Sequence, residues 1–184
     1  MTGMELKILD WLQTIHTPIG DVFMCFITSL ENVGAIWIVL AVVLIAIPKT
    51  RKSGIIVAAA LIIDAALCSG ILKNVFCRIR PFDVNTAVQV LITKPRDFSF
   101  PSGHTSASFA AATALYLAKE RKLFILTLVL ACLIAFSRMY LYVHYPTDII
   151  GGLLIGIASA YLAYWCQKKI PAVRRNSEKL KNNI

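Results

Sequence analysis

The sequence predicts an all-α fold, a polytopic membrane helical bundle, on three observations. Apolar residues make up 58% of the 184 and charged residues only 16%, against roughly a quarter charged in ordinary soluble domains. The apolar residues gather into runs near the length of about 20 that a helix needs to cross a bilayer, parted by charged or Pro-containing breaks. The basic residues cluster in alternate breaks, the pattern of loops on the cytoplasmic side of a membrane.

Residues 4–16, at the N-terminus, set Met4, Ile8, Trp11, Leu12 and Ile15 at helical spacing, with Glu5, Asp10 and Gln13 elsewhere on the wheel. That pattern predicts an N-terminal amphipathic interfacial helix, lying on the membrane surface. His16, ahead of Thr17-Pro18, reads as an interfacial residue. The run 18–30 either continues that helix or adds a sixth, shorter membrane element. Five transmembrane helices are expected at about 28–47, 55–75, 103–118, 123–141 and 147–166. The third is short at its outer end unless it begins at the turn Pro101-Ser102-Gly103-His104.

With five spans, Lys49, Arg51 and Lys52, then Lys119, Arg121 and Lys122, then six tail residues (Lys168, Lys169, Arg174, Arg175, Lys179, Lys181) fall on one side. By the positive-inside rule that side is cytoplasmic. The N-terminus, the 78–101 loop and the 142–146 loop then face outward. Topology accounts for most of the net charge of +9, so no nucleic-acid partner is expected. The opening MTGMELKILDWLQ carries acids and lacks the apolar core of a secretory signal peptide. Cys25, Cys68, Cys132 and Cys166 read as small buried hydrophobes, and Cys77 has no CxxC-type metal spacing around it.

Basic residues on the outward side need a local reason, and three clusters supply one. Lys73 is followed by six residues and then Arg80-Pro81. The third span opens on Pro101-Ser102-Gly103-His104. The fourth ends in Ser137-Arg138, with five residues between Arg138 and His144, and Asp148 four positions further on. Each part suits a phosphate group. Arg80 and Arg138 offer bidentate forks, and Lys73 a compact charge. Gly103 admits a close backbone approach. Ser102 offers a hydroxyl donor or an N-cap, at a helix start whose N–H groups and dipole favour anions. Asp148 can fix the tautomer of His144 and leave its other nitrogen to attack, and His104 can protonate a departing oxygen. Residue chemistry alone leaves either histidine open as the nucleophile.

These clusters, in order and spacing, resemble the signature of the type 2 phosphatidic acid phosphatase superfamily, over residues 55–166. The resemblance implies a helical core with its site at the outer ends of the spans and with neither cofactor nor metal. It implies catalytic His144 as the nucleophile forming a phosphohistidine, Asp148 orienting it and His104 as general acid. Lys73, Arg80, Ser102, Gly103 and Arg138 would hold the substrate phosphate. The expected organisation is one membrane phosphatase domain, 1–184, with an interfacial N-terminal region (1–30), a catalytic core (55–166) and a basic cytoplasmic tail (167–184).

Other residues take plainer readings. Asp64, about two turns into the second span, is costly in lipid and is expected to hydrogen-bond to neighbouring helices. Arg78, Lys94, Arg96 and Asp97 read as solvated loop charges. Tyr140, Tyr142 and Tyr145 suit a membrane interface, and Tyr145 could also line the pocket beside His144. The small-residue ladders Ser106, Ala110, Ala114, Ala118 and Gly152, Gly156, Ala160 read as helix packing.

The expected function is a metal-independent hydrolase of a lipid phosphate or diphosphate at the outer leaflet of the cell membrane, with the C-terminus cytoplasmic. Undecaprenyl diphosphate is the favoured substrate, because the chain is compact and its site faces outward. Phosphatidate or phosphatidylglycerol phosphate is the runner-up. A lipid phosphotransferase would use the same residues with a different acceptor. A non-catalytic anion-binding protein would not need His144 with Asp148. The motifs contact phosphate and leave the lipid tail, like the oligomeric state, unassigned.

Overall fold

The computed structural model describes residues 2–169. The basic tail from 170 onward, with Arg174, Arg175, Lys179 and Lys181, lies outside the described residues. Among those described, every regular element is helical: α1 (Thr2–Thr14), α2 (Pro18–Ser29), α3 (Ala35–Ala46), α4 (Arg51–Ala65), α5 (Lys73–Phe76), α6 (Pro81–Val84), α7 (Gly103–Leu117), α8 (Arg121–Tyr140) and α9 (Pro146–Lys169).

Helix α7 occupies the middle, packed against α9, α8 and α4. Its sequence explains the placement. Ser106, Ala110 and Ala114 are fully buried, and side chains this small let neighbouring backbones come close. A Cβ on Gly152 of α9 would stand 2.6 Å from the Ser102 carbonyl oxygen, and one on Gly156 would stand 2.9 Å from the Ala110 nitrogen. The two ladders are therefore packing seams, as the sequence indicates. Trp37 of α3 donates from Nε1 to Ser108 Oγ of α7 at 3.0 Å, while Leu44, Ile56, Val57, Leu115 and Ile134 fill the core around α7.

The outer faces of the surrounding helices carry Val39, Val42, Ile62, Leu126, Val129, Leu154 and Trp165, all exposed. A water-soluble fold would hide such a band; a bilayer solvates it. Cys132 and Cys166 lie on these exposed faces rather than in the protein interior; Cys68 is buried and Cys25 half-buried. For the two exposed cysteines the apolar surroundings are those of the bundle's outside.

Three helical stretches, Arg51–Val84, Arg121–Tyr140 and Pro146–Lys169, are long and apolar enough to cross a membrane. The α2 and α3 stretches reach that length and hydropathy only when taken together, and they are bent by 43° at the break between them. The expected spans at 55–75, 123–141 and 147–166 thus correspond to single helices. The run at 28–47 does not, because Val33 and Gly34 both take left-handed backbone and break it. The run 18–30 does not extend α1: it holds the separate helix α2, the first limb of this bent pair. Helix α7 has 15 residues, about 22 Å at 1.5 Å per residue, short of a hydrocarbon core of about 30 Å. Its neighbours enclose it, so length matters less there than close contact.

The two ends of the bundle differ. At one end Ser53 donates to Glu120 at 2.8 Å and Gln167 donates to the Lys52 carbonyl at 3.3 Å. These bonds gather the 47–53 turn, the 118–121 turn and the C-terminus of α9, and with them the basic clusters. The other end holds α1, the 77–102 segment and the 141–145 turn. Helix α1 has two contrasting faces. Met4 and Trp11 are 74% and 61% exposed, and Ile8 and Ile15 are exposed too, while Glu5, Leu9 and Leu12 are buried. Leu9 and Leu12 pack on Tyr140, Leu141, Tyr142, Val143 and Tyr145. Asp10 accepts from Tyr142 Oη at 2.6 Å, and Gln13 donates to the Tyr140 carbonyl at 3.0 Å. The polar side of α1 faces protein and most of its apolar side faces out. His16 joins this cap, stacked on Tyr140 at 3.9 Å between centroids.

Candidate active site

The site lies at the α1 end, in a cavity of about 410 Å³ lined by Lys73, Arg80, Gly103, His104, Arg138 and His144 among others. Local structure brings each there. Helix α4 continues through a π-helical stretch, Ala66–Leu72, before Lys73. Such a wider turn rotates the downstream residues, Lys73 among them, away from their α-helical positions, and insertions of this kind recur at functional sites. Arg80 directly precedes Pro81 at the first position of α6. Gly103 and His104 open α7, where the first-turn N–H groups of residues 103–105 have no carbonyl within the helix to bond. A Cβ on Gly103 would meet only Ser69 Oγ, at 4.0 Å. Packing therefore does not demand glycine; its missing side chain leaves room in the cavity.

His144 stands in the turn between α8 and α9, 1% exposed. Its Nε2 is 3.3 Å from Arg80 Nη1, and its Nδ1 is 3.4 Å from Asp148 Oδ2. The second distance is an ion-pair contact and too long for a well-formed hydrogen bond; Nδ1 has no hydrogen-bond partner among the described residues. Burial first, then the charges of Arg80, Arg138 and Lys73, hold its imidazole well below the usual pKa. That direction favours the neutral ring, the form whose nitrogen can attack.

Asp148 is fully buried and lies behind His144, off the cavity wall. Its Oδ2 accepts from Ser99 Oγ at 2.5 Å and from the Tyr145 N–H at 2.9 Å. Its Oδ1 accepts from Arg78 Nη1 at 2.6 Å. Arg78 also donates from Nη2 to Glu5 Oε2 of α1 at 2.7 Å and lies 4.0 Å above the Tyr145 ring. Glu5 Oε1 accepts from Thr147 Oγ1 at 2.5 Å. Arg78 is thus a half-buried link between α1 and Asp148, where the sequence suggests a solvated loop charge. Tyr145 takes part in this link and does not line the cavity.

Asp97 also departs from the loop reading. Its carboxylate is ion-paired with Lys73 and accepts from Arg80 Nη2 at 2.6 Å, although its side chain is 54% exposed. Arg80 further donates to the Asp97 and Val143 carbonyls at 2.8 and 2.7 Å. Arg138 donates from Nη1 to Thr28 Oγ1 at 2.6 Å, and its Nε has no partner among the described residues. Ser106 donates to Asp64, so that intramembrane carboxylate bonds a neighbouring helix as its position in the span indicates; it also borders the cavity. Lys94 sits over the Phe82 ring at 5.2 Å.

Of the eight expected site residues, six line one cavity. Asp148 backs His144, and Ser102 is buried beneath the wall. The Ser102 hydroxyl accepts from Thr105 Oγ1 at 3.0 Å and makes no N-cap bond, while its N–H donates to the Asp148 carbonyl at 3.1 Å. Sequence reasoning missed Glu5, Thr28, Glu31 and Ser99. Glu31 lies 3.0 Å from His104 Nδ1. A carboxylate within the apolar run 28–47 was the available signal.

A cavity with three cations, two histidines and a helix start can bind a phosphoryl group and pass it to a nitrogen. Comparison with known proteins agrees in kind. A sequence profile of the PAP2 superfamily matches residues 53–172. The chain is 34% identical over 128 residues to an undecaprenyl-diphosphatase of Sulfolobus acidocaldarius, a match covering 70% of this chain and 62% of that protein. It is 33% identical over 153 residues to the undecaprenyl-diphosphatase BcrC of Bacillus subtilis, covering 81% and 76%. Its fold is similar to the crystal structure of a transmembrane PAP2-type phosphatidylglycerolphosphate phosphatase from Bacillus subtilis, with a TM-score of 0.73, 27% identity and coverage of 91% and 86%. With the profile spanning well over half its length and the three clusters converging on one cavity, the chain belongs to the PAP2 superfamily.

Proposed function

We propose that the protein is an integral-membrane lipid phosphate phosphatase that works through a phosphohistidine on His144. The observation that carries this reading is the buried His144 with Nε2 beside Arg80 in a cavity shared with Lys73, Arg138 and His104. Lys73, Arg80 and Arg138 hold the phosphoryl oxygens, with the N–H groups at Gly103 and His104 completing the cradle. Ser102 acts from beneath by fixing the start of α7. Nε2 of His144 attacks phosphorus in line with the departing oxygen, a geometry that needs groups on both sides. Asp148 steadies the imidazolium character that develops on the ring. His104 gives a proton to the leaving oxygen and later takes one from the attacking water. Charge neutralisation comes from Lys and Arg, so the reaction asks for no metal.

Undecaprenyl diphosphate is the favoured substrate, supported by the names of the Sulfolobus and Bacillus relatives. A phosphatidylglycerol phosphate is the second reading, favoured by the structural neighbour. We further infer five crossings, the bent α2–α3 pair with α4, α7, α8 and α9, which put the site on the outer face and the basic clusters in the cytoplasm.

The test is phosphate release by purified protein from a panel of lipid phosphates and diphosphates, with chelator present. Release by wild type and a loss of about 10⁴-fold or more in His144→Ala are expected. No release from any substrate, or full activity in the variant, would overturn the phosphatase reading; loss on chelation alone would overturn the metal-free mechanism. A cysteine introduced in the 83–96 loop, in a Cys77→Ser background, should label from outside.

A further inference from the structure

We propose that Glu31, from the break between α2 and α3, is the positioning residue that holds His104 as proton donor. The inference rests on the phosphatase reading and extends it to a residue outside the family match at 53–172. Glu31 Oε2 is 3.0 Å from His104 Nδ1, and the Glu31 side chain is 4% exposed. A carboxylate so enclosed is costly unless it is paired, and the partner is the histidine that opens α7. The other nitrogen, His104 Nε2, is buried without a partner among the described residues, and both residues border the cavity. One ring nitrogen is therefore held and the other left for substrate.

The backbone around Glu31 is shaped for this contact. Val33 takes φ 58° and ψ 23°, a left-handed conformation that a β-branched residue adopts only under strain, and Gly34 follows at φ 73°. Gly34 N–H donates to the Glu31 carbonyl at 2.8 Å, closing a tight turn that ends α2 and redirects the chain. Backbone strain of this kind persists where surrounding contacts over-determine it, and it clusters at functional sites. Without the break, the apolar wheel running from α2 into α3 would carry Glu31 as an ordinary intramembrane charge.

The chemistry balances. In the first step the bond between phosphorus and His144 Nε2 forms while the bond from phosphorus to the leaving oxygen breaks. The leaving oxygen keeps the electron pair and takes the proton from His104 Nε2. His104 becomes neutral, its Nδ1–H still donated to Glu31. In the second step the oxygen of a water bonds phosphorus as the bond to His144 Nε2 breaks and returns its electron pair to the ring, while His104 Nε2 accepts the water's proton, which restores both rings. Glu31 favours the imidazolium form of His104 and fixes its orientation throughout, the role that Asp148 has for His144. Other titratable groups that line the cavity with His104 are Asp64 from α4, Lys73 from α5, Arg80 and Asp97 from the adjoining loop, Arg138 from α8, and His144. The cations among them oppose a charged His104, which is why a dedicated carboxylate matters.

The experiment measures kcat and KM against pH for wild type, Glu31→Gln and Glu31→Asp, on phosphatidate and on undecaprenyl diphosphate. An alkoxide needs a proton to leave more than a phosphate monoester does. Glu31→Gln is expected to lower kcat on phosphatidate by about 10–100-fold with KM within about threefold, and on the diphosphate by clearly less. The basic limb of kcat, set by loss of the His104 proton, should move to lower pH in Glu31→Gln and return towards wild type in Glu31→Asp. Equal losses on both substrates with an unmoved basic limb would overturn the assignment and leave Glu31 a packing residue. If Glu31→Gln does not fold, Glu31→Asp decides: a limb and a substrate ratio like wild type support the proposal, and a defect in KM alone overturns it. Inactive His144→Ala beside fully active Glu31→Gln would sink this inference while sparing the phosphatase reading.

Discussion

Residues 51–169 supply the cations and histidines of the cavity, whereas residues 2–50 supply groups that hold them in place. Lys73, Arg80, His104, Arg138 and His144 line the wall. From the other region, Glu5 bonds Arg78, which bonds Asp148; Thr28 bonds Arg138; Glu31 pairs with His104. Three contacts from α1, from α2 and from the break after it each restrain a different member of the core. Groups that touch a phosphate must hold fixed relative positions, which shows up as spacing in sequence. Groups that only steady them can come from any element that packs nearby, so they form no motif.

The sharpest way to break this comparison is at Asp148, where both regions meet. Asp148→Asn keeps the shape and removes the charge behind His144; a loss in kcat of about 10³–10⁴-fold is expected by analogy with other His–Asp pairs. Arg78→Met leaves Asp148 intact but frees its Oδ1. A loss of about 10–100-fold in kcat, with KM within about threefold, is expected for removing such an outer partner. If Arg78→Met instead raises KM and spares kcat, Arg78 acts on substrate and the division between the regions fails at that point.

Glu5 lies one link further out, so its effect should be smaller. Glu5→Gln is expected to cost about 3–10-fold in kcat, and nothing more when added to Arg78→Met, because contacts in one chain of bonds are not additive. Additive losses in the double variant would mean that Glu5 acts through α1 docking and not through Arg78. Thermal unfolding of both single variants separates the two cases, since undocking α1 would uncover Leu9 and Leu12.

The legibility of the sequence divides along the same line. Hydropathy and basic clusters located the crossings that are single helices, and the three spaced clusters located the cavity wall. The break at Val33-Gly34 stayed hidden because nothing in an apolar run marks a left-handed valine. Which side of α1 meets protein was not legible, because amphipathicity does not decide it; here Glu5, Asp10 and Gln13 find partners on the 140–147 stretch. Arg78 and Asp97 looked solvated because a loop's charges can be assigned partners only once the loop is folded back over the site. Glu31 was legible in principle, since the cost that singled out Asp64 applies equally to a glutamate in the run 28–47.

The smallest expected effect belongs to Asp97, and it tests whether the core has its own internal support. Burial alone would raise this carboxyl's pKa, but the hydrogen bond and charge of Lys73, with those of Arg80, outweigh burial and hold it at about 2. The folded value lies below the ordinary carboxylate value, so the pairing is present above about pH 4 and is lost only as pH falls through about 2. Across the working range Asp97 therefore stays charged and occupies the two cations that phosphate oxygens would use. Asp97→Asn should free them and tighten inhibition by inorganic phosphate about 3–10-fold, with kcat changed by less than about threefold. The wild-type contribution should not vary between about pH 5 and 8 beyond the ionisation of phosphate itself. Weaker inhibition in Asp97→Asn would reverse the reading: the carboxylate would then be organising Lys73 and Arg80 for substrate, as Glu31 and Arg78 organise the two histidines, and support would come from both regions of the chain.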